Sequence, residues 1–313
     1  MDETHTRRLV GTHYPERAVT AVDPVAAGHR PTAVVRFDTH SPVVVQFSDD
    51  IEAVRTEAAL VDAVRARTDV PAPPTLATGV CDGQAYAISE FRPGTDLHTT
   101  FADSHPAHRA AVGNRFGRYL GQLHAAFAFE GCGELVRDPV PDGDCDLAAP
   151  SASCAGWLAA YGRRAVERLP AEFEALRPRL LDCLDTAAAE QATPRLFPWD
   201  LRPGNALVSD GWLSAVLDWE RPMAAPPALA LAKTEYLVAD WYVEEPAPLR
   251  RSFRRGYASV RPPPAVDRIH RVVAIADSAV DSRGAVTNPG YPERDEPASV
   301  AFHRRALERV FAE

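Results

Sequence analysis

Asp200, Asn205 and Asp218 stand within one stretch, Leu196 to Trp219 (LFPWDLRPGNALVSDGWLSAVLDW). Their types and spacing suit phosphoryl transfer to a hydroxyl. That chemistry asks for a carboxylate beside the attacking oxygen, to accept its proton or hold it in line, and for oxygen ligands that keep Mg²⁺ against the phosphates. Asp200 suits the first task. Asn205 follows across an Arg-Pro-Gly turn, so a loop that folds back aims both side chains into one cavity. Leu207-Val208 and Leu213 to Leu217 read as two short strands around Ser209-Asp210-Gly211, a hairpin whose second strand delivers Asp218 as a second metal ligand. An Asp and an Asn at this spacing arise readily by chance in solvated loops. The ordered set of loop Asp, Pro-Gly turn, Asn, hairpin and Asp-Trp-Glu carries the reading.

This stretch resembles the catalytic loop and metal-binding segment of the aminoglycoside phosphotransferase and choline kinase-like family. Further landmarks fall in the family's order: Arg30-Pro31-Thr32, Arg55 to Leu60 (RTEAAL), Val70 to Pro73 (VPAP), Pro93-Gly94, Leu123-His124-Ala125, Leu231-Ala232 and Arg255-Gly256-Tyr257. The resemblance implies an α+β, two-lobed protein-kinase-like fold, with a small antiparallel-sheet N-terminal lobe and a mostly helical C-terminal lobe. Residues 1–92 would bind nucleotide, and residues 93–313 would carry catalysis and the acceptor site. ATP or GTP is the implied donor, Mg²⁺ the implied metal and a small-molecule hydroxyl the implied acceptor. Asp200 is then the catalytic residue, and Asn205 and Asp218 the metal ligands.

Two departures from the family pattern bear on activity. Pro198 stands where the catalytic loop usually carries a His, so the loop is expected to be braced differently. Gln46, in Pro42 to Phe47, stands where the family places a phosphate-binding Lys, with Glu57 left as that Lys's helix partner. A missing cation near phosphates costs on the order of a hundredfold or more in rate. Arg36 or Arg30, on the neighbouring strand and turn, could supply the charge, although ordinary surface charge also describes them. Lys233, the only lysine, lies on an expected C-lobe helix and is a poor replacement. A third difference is Pro226-Pro227-Ala228, where the family commonly has a bracing Asp. Two readings stay open: an ATP-dependent phosphotransferase, and a kinase-like nucleotide-binding protein with weak or no turnover.

The elements that must position these groups can be placed. Ala33 to Phe37 and Val43 to Phe47 are β-branched runs forming a hairpin, and Ile51 to Thr68 has helical spacing that puts Glu57 toward Gln46. Ala85 to Ser89 is a strand, and Glu90 to Gly94 is a connector whose backbone could hold adenine. Val22 to Thr32 reads as the turn over the phosphates, with a single glycine, Gly28, that suits a plain turn. A helix from Pro106 carries Val112, Phe116, Leu120, Leu123 and Phe127 on a core stripe. His124, on its flank, reads as a buried structural histidine bonding the catalytic loop. Ala155 to Ala189 reads as two helices on which Trp157 and Tyr161 pack. Arg221 to Ala228 reads as a loop, followed by an apolar helix from Leu229 to Tyr242. Asp142 to Asp146 lacks the closing Glu of an EF-hand and reads as surface. Asp240, Glu244 and Glu245 could meet a cationic acceptor or simply be solvated.

Composition bounds the rest. In 313 residues, 46% hydrophobic content is ample for two lobes sharing a cleft. A net charge of -9 argues against nucleic acid as partner, since a phosphate backbone demands a basic face. Five widely spaced cysteines lack a paired metal or redox pattern and read as reduced, partly buried thiols. No apolar leader or membrane-length run is present, so the expectation is a cytoplasmic monomer or homodimer with no membrane contact.

Overall fold

A computed structural model describes residues 2–26, 28, 30–139, 145–150, 153–185 and 192–312. The N-terminal lobe comprises helix α1 (Glu3–His13), strands β1 (Val19–Val25), β2 (Thr32–Phe37) and β3 (Val43–Ser48), helix α2 (Ile51–Arg67), and strands β4 (Thr75–Cys81) and β5 (Gln84–Glu90). These strands form one antiparallel sheet in the order β1-β2-β3-β5-β4. Period-two alternation decides its faces. Val35, Val43, Val45, Phe47 and Ile88 turn to one side and bury against Leu9 and Val10 of α1. Gln46 therefore turns to the other face, opposite Thr32 of β2 and Ala87 of β5.

Helix α2 starts where Asp50 accepts the Glu52 and Ala53 amides at 2.9 and 3.1 Å, satisfying two of the helix's orphan donors. Its Leu60, Val61 and Val64 pack into the core of the larger lobe. Asp82 and Gly83 both take positive φ, 50° and 82°, which closes the β4–β5 hairpin. From α1, His5 holds Asp82 at 3.1 Å.

Past Glu90 come β6 (Thr95–Asp96), α3 (Leu97–Phe101), α4 (Pro106–Ala126), β7 (Gly133–Glu134), β8 (Val136–Pro139), β9 (Cys145–Ala148), α5 (Cys154–Arg168) and α6 (Arg177–Asp185). Then follow β10 (Arg195–Phe197), β11 (Ala206–Ser209), β12 (Trp212–Val216), β13 (Met223–Ala225), α7 (Pro227–Glu235), α8 (Ala247–Ala258), α9 (Arg268–Ala279) and α10 (Glu296–Val310). The small antiparallel lobe on a mostly helical one is the expected architecture. Helices α4 and α8 form its densest contact: a Cβ on Gly117 would sit 1.9 Å from the Phe253 carbonyl oxygen, and one on Gly256 1.8 Å from that of Asn114. Backbone meets backbone there, which explains the glycine beside Tyr257.

Several expectations are corrected. Val19 to Val25 is a strand paired with β2, so the turn above the cleft is shorter than Val22 to Thr32. Helix α1 lies outside every element expected from the sequence. Within the Pro-rich segment after Asp218, β13 pairs with both β10 and β7. Cys132 and Cys154 are joined in a disulfide, because the chain before β7 returns beside the start of α5 with Cα atoms 5.2 Å apart. Cys81 and Cys183 take no part in a disulfide. Asp142 to Asp144 and Thr186 to Ala189 lie outside the described residues. No helix among the described residues is long and apolar enough to cross a membrane.

Candidate active site

The catalytic loop leaves β10 at Phe197 and reaches β11 at Ala206. Pro203 to Asn205 makes one 3₁₀ turn, and it folds the loop back as the Pro-Gly pair predicts. Asn205 Nδ2 donates to the Asp200 carbonyl at 3.0 Å and to Asp200 Oδ2 at 3.1 Å, and faces Asp218 Oδ2 at 3.4 Å. The β11–β12 hairpin turns through Asp210 and Gly211, at φ 53° and 79°. Leu217 N–H then donates to the Asn205 carbonyl at 2.8 Å, which fastens the Asp218 segment to the loop. Asp200, Asn205 and Asp218 are thus brought together as the spacing suggested.

Two carboxylates around one amide create an electrostatic demand. Asp218 keeps a solvent-exposed edge, but the protein packed around it pushes its carboxyl above the ordinary range, and the Asp200 charge pushes the same way. Arg202 Nε meets Asp200 Oδ2 at 2.9 Å, and its guanidinium lies 5.5 Å from the Trp241 ring centre. Asp218 and the carbonyl end of Asn205 are hard oxygen donors of the kind Mg²⁺ takes.

Above this cluster, Arg30 grips Glu57 with both terminal nitrogens, at 2.7 and 2.6 Å, and its Nε meets Glu220 at 3.0 Å. Glu57 is therefore engaged by Arg30. The Gln46 amide is 3.5 Å from Thr32 Oγ1, which itself bonds the Arg30 carbonyl at 3.0 Å. Glu220 is pushed up to about 7, chiefly by burial, against the lowering effect of Arg30. Arg36 stands apart. It is exposed, bound to Asp23 at 2.7 Å, and roughly 13 Å along β2 from Thr32 at strand rise. Glu90 ends β5 with its N–H given to the Pro74 carbonyl and its carboxylate 3.3 Å from Arg92, at the start of the connector.

The loop with Pro198 is braced from below. Trp199, at φ 33°, donates its indole N–H to Tyr161 Oη and Asp277 Oδ2, both at 3.0 Å. Asp277 also pairs with Lys233, whose ammonium lies 4.5 Å from the Trp199 ring centre. Burial alone would raise the Asp277 carboxyl; Lys233 and the hydrogen bonds bring it below its ordinary value. Tyr161 stacks on Trp157, with centroids 4.9 Å apart. His124 is fully buried, bonds Tyr257 Oη at 2.8 Å and is held down to about 3 by burial. Asp240 is buried and paired with Arg250, while Glu244 and Glu245 are exposed.

The profile of the phosphotransferase enzyme family matches residues 21–269, a span that takes in both the sheet and the loop. The chain belongs to that family. Solved structures agree at the level of fold. Aminoglycoside phosphotransferase APH(4)-Ia superposes with a TM-score of 0.70 at 15% identity, covering 99% of each chain. A thermostable mutant of it, in a ternary complex with AMP-PNP and hygromycin B, gives 0.66 at 15% identity over 99% of this chain and 98% of the other. Macrolide 2'-phosphotransferase MphH from Brachybacterium faecium gives 0.59 at 18% identity, covering 97% of each. No curated protein matches by sequence.

Sequence reasoning passed over the Lys233–Asp277 brace. A signal existed: Lys233 follows the apolar run Ala228 to Ala232 and Asp277 the apolar run Val272 to Ala276, and buried charges of opposite sign call for each other. Arg202 and Glu220 flank the predicted ligands and were legible only as neighbours.

Proposed function

We propose that this family member transfers the γ-phosphate of ATP, or of GTP, to a hydroxyl of a small molecule. The observation that carries the reading is the convergence of Asp200 and Asp218 on the Asn205 amide, within hydrogen-bond reach of it. Asp200 Oδ2 is held by Arg202 and Asn205, which orients the carboxylate and leaves Oδ1 to receive the acceptor's hydroxyl proton. Asn205, after a half-turn of its amide, and Asp218 would hold Mg²⁺, which supplies charge neutralisation at the phosphates. The backbone of the connector Glu90 to Gly94 would hold the base.

An acceptor side is suggested by a cleft of about 410 Å³ lined by Ala102, Arg109, Tyr242, Val243, Glu244 and Glu245 among others. Tyr242 ties it to the loop, bonding His98 at 2.8 Å and the Gly204 backbone. The neighbours' acceptors, an aminoglycoside and a macrolide, make polyhydroxylated compounds the first panel to try. Mass spectrometry of phosphorylated product, with wild type against Asp200→Ala, tests the proposal. A panel on which the two proteins behave alike would sink it. The second reading, a nucleotide binder without turnover, draws on the uncharged Gln46; tight Mg-ATP binding with no transfer is its signature.

A further inference from the structure

Strand β3 carries no lysine, and the cation that engages Glu57 comes from elsewhere. Arg30 emerges at the end of the turn between β1 and β2, two residues before Thr32, which pairs in register with Gln46. Its position is fixed from both strands: Phe47 N–H donates to the Pro31 carbonyl at 3.0 Å, and Thr32 Oγ1 to the Arg30 carbonyl at 3.0 Å. The side chain is only 15% exposed, as is Glu57, which it grips in bidentate fashion. A Lys–Glu pair does this work in a kinase-like lobe by tying the helix to the phosphate site.

We propose that Arg30, anchored by Glu57, is the cation that holds the nucleotide's α- and β-phosphates in this protein, and that β3 contributes none. This rests on the phosphotransferase reading above. A guanidinium has two usable edges. One edge is spent on Glu57. The other, carrying Nε, points at Glu220 at 3.0 Å, in the Asp-Trp-Glu segment that also holds Asp218. Glu57 and Glu220 thus engage one hydrogen each of Nη1, Nη2 and Nε, and the outer hydrogens of Nη1 and Nη2 are the donors left for phosphate oxygens. The longer arginine side chain, set on the turn, reaches the Glu57 carboxylate from a different strand than a β3 lysine would. Gln46 then has a positioning role, its amide reaching Thr32 at 3.5 Å.

Calorimetry with Mg-ATP, Mg-ADP and adenosine on wild type, Arg30→Met, Gln46→Lys and the Arg30→Met/Gln46→Lys double variant decides the matter. Adenosine has the base and sugar but no phosphate, so it separates phosphate holding from lobe folding. Arg30→Met is expected to weaken both nucleotides by about tenfold or more, with adenosine changed by less than about twofold. The double variant is expected to regain most of the loss, because a lysine on β3 can again pair with Glu57. Gln46→Lys alone is expected to gain nothing, since Arg30 already fills the site. Arg30→Met binding ATP as wild type does, or losing adenosine and ATP equally, would overturn the assignment. A threefold or larger gain from Gln46→Lys alone would show that the charge was missing, and would overturn it too. Wild type that binds no Mg-nucleotide would fail the underlying phosphotransferase reading, and that arm is read before any variant.

Discussion

Lys233→Met should destabilise the protein more than any surface change, and more at neutral pH than in mild acid. The Lys233 and Asp277 side chains are 3% and 4% exposed, so removing the ammonium leaves a carboxylate with no counter-charge in the interior. Breaking a buried pair by removing one partner costs about 3–5 kcal/mol, and the ammonium's placement over the Trp199 ring goes with it. The pH dependence has a definite sign. In wild type the Asp277 carboxyl sits below its ordinary value, so it stabilises above the unfolded pKa of about 4 and that stability is lost as pH falls through the folded value. Without Lys233 burial dominates, the folded pKa rises above the unfolded one, and protonation relieves the strain as pH drops. The gap between the two proteins should be widest near pH 7 and narrow toward about pH 5. Urea unfolding followed by tryptophan fluorescence at both pH values measures it. A gap under about 1 kcal/mol, or one equal at both pH values, would refute the reasoning. Lys233→Met/Asp277→Leu should recover much of the loss, because a buried pair replaced by apolar groups is often neutral.

Other perturbations have equally definite outcomes. Gly117→Ala should cost about 1–3 kcal/mol or more in thermal unfolding, since its methyl would meet the Phe253 carbonyl oxygen in a contact that only backbone movement can relieve. Stability should fall as pH drops from about 6.5 toward 4, because burial holds His303 down to about 4 and His124 to about 3 while the unfolded chain takes up protons first; His303→Gln should lessen that slope, with His124 supplying the rest. Reduction of Cys132–Cys154, 22 residues apart, should cost about 3 kcal/mol by loop entropy, read as a drop in Tm with reductant that Cys132→Ser/Cys154→Ser no longer shows.

What could be read from the sequence follows from physical range. Strands β2, β3 and β5, helices α2 and α4 and the β11–β12 hairpin announce themselves through local periodicity and turn residues, and the loop residues Asp200 and Asn205 are five positions apart. Helix α1 was missed because only Leu9 and Val10 of its apolar side chains anchor it to the sheet. Strand β1 is an edge with Pro24 and an exposed pattern, recognisable only through its pairing with β2. The three residues of β13 are fully buried and become a strand because β10 and β7 flank them. The disulfide and the Lys233–Asp277 pair depend on the path of the chain between distant segments, which no local pattern encodes. Gln46 and Pro198 were visible as departures, and Arg30 was one of two cations weighed beside Gln46; that Glu57 grips Arg30, and that α5 and α9 hold Trp199, depends on contacts between distant segments.

On the proposed reading, Asp200 accepts the acceptor's hydroxyl proton as phosphate passes from the nucleotide to that hydroxyl. The direct measurement is ³¹P NMR of Mg-ATP with the hydroxyl panel, comparing wild type with Asp200→Ala. A new phosphate-ester resonance with wild type, reduced by a factor on the order of 10² to 10⁴ in the variant, is the predicted result. An ester formed at the same rate by both proteins, or none formed by wild type that binds Mg-ATP, would contradict it.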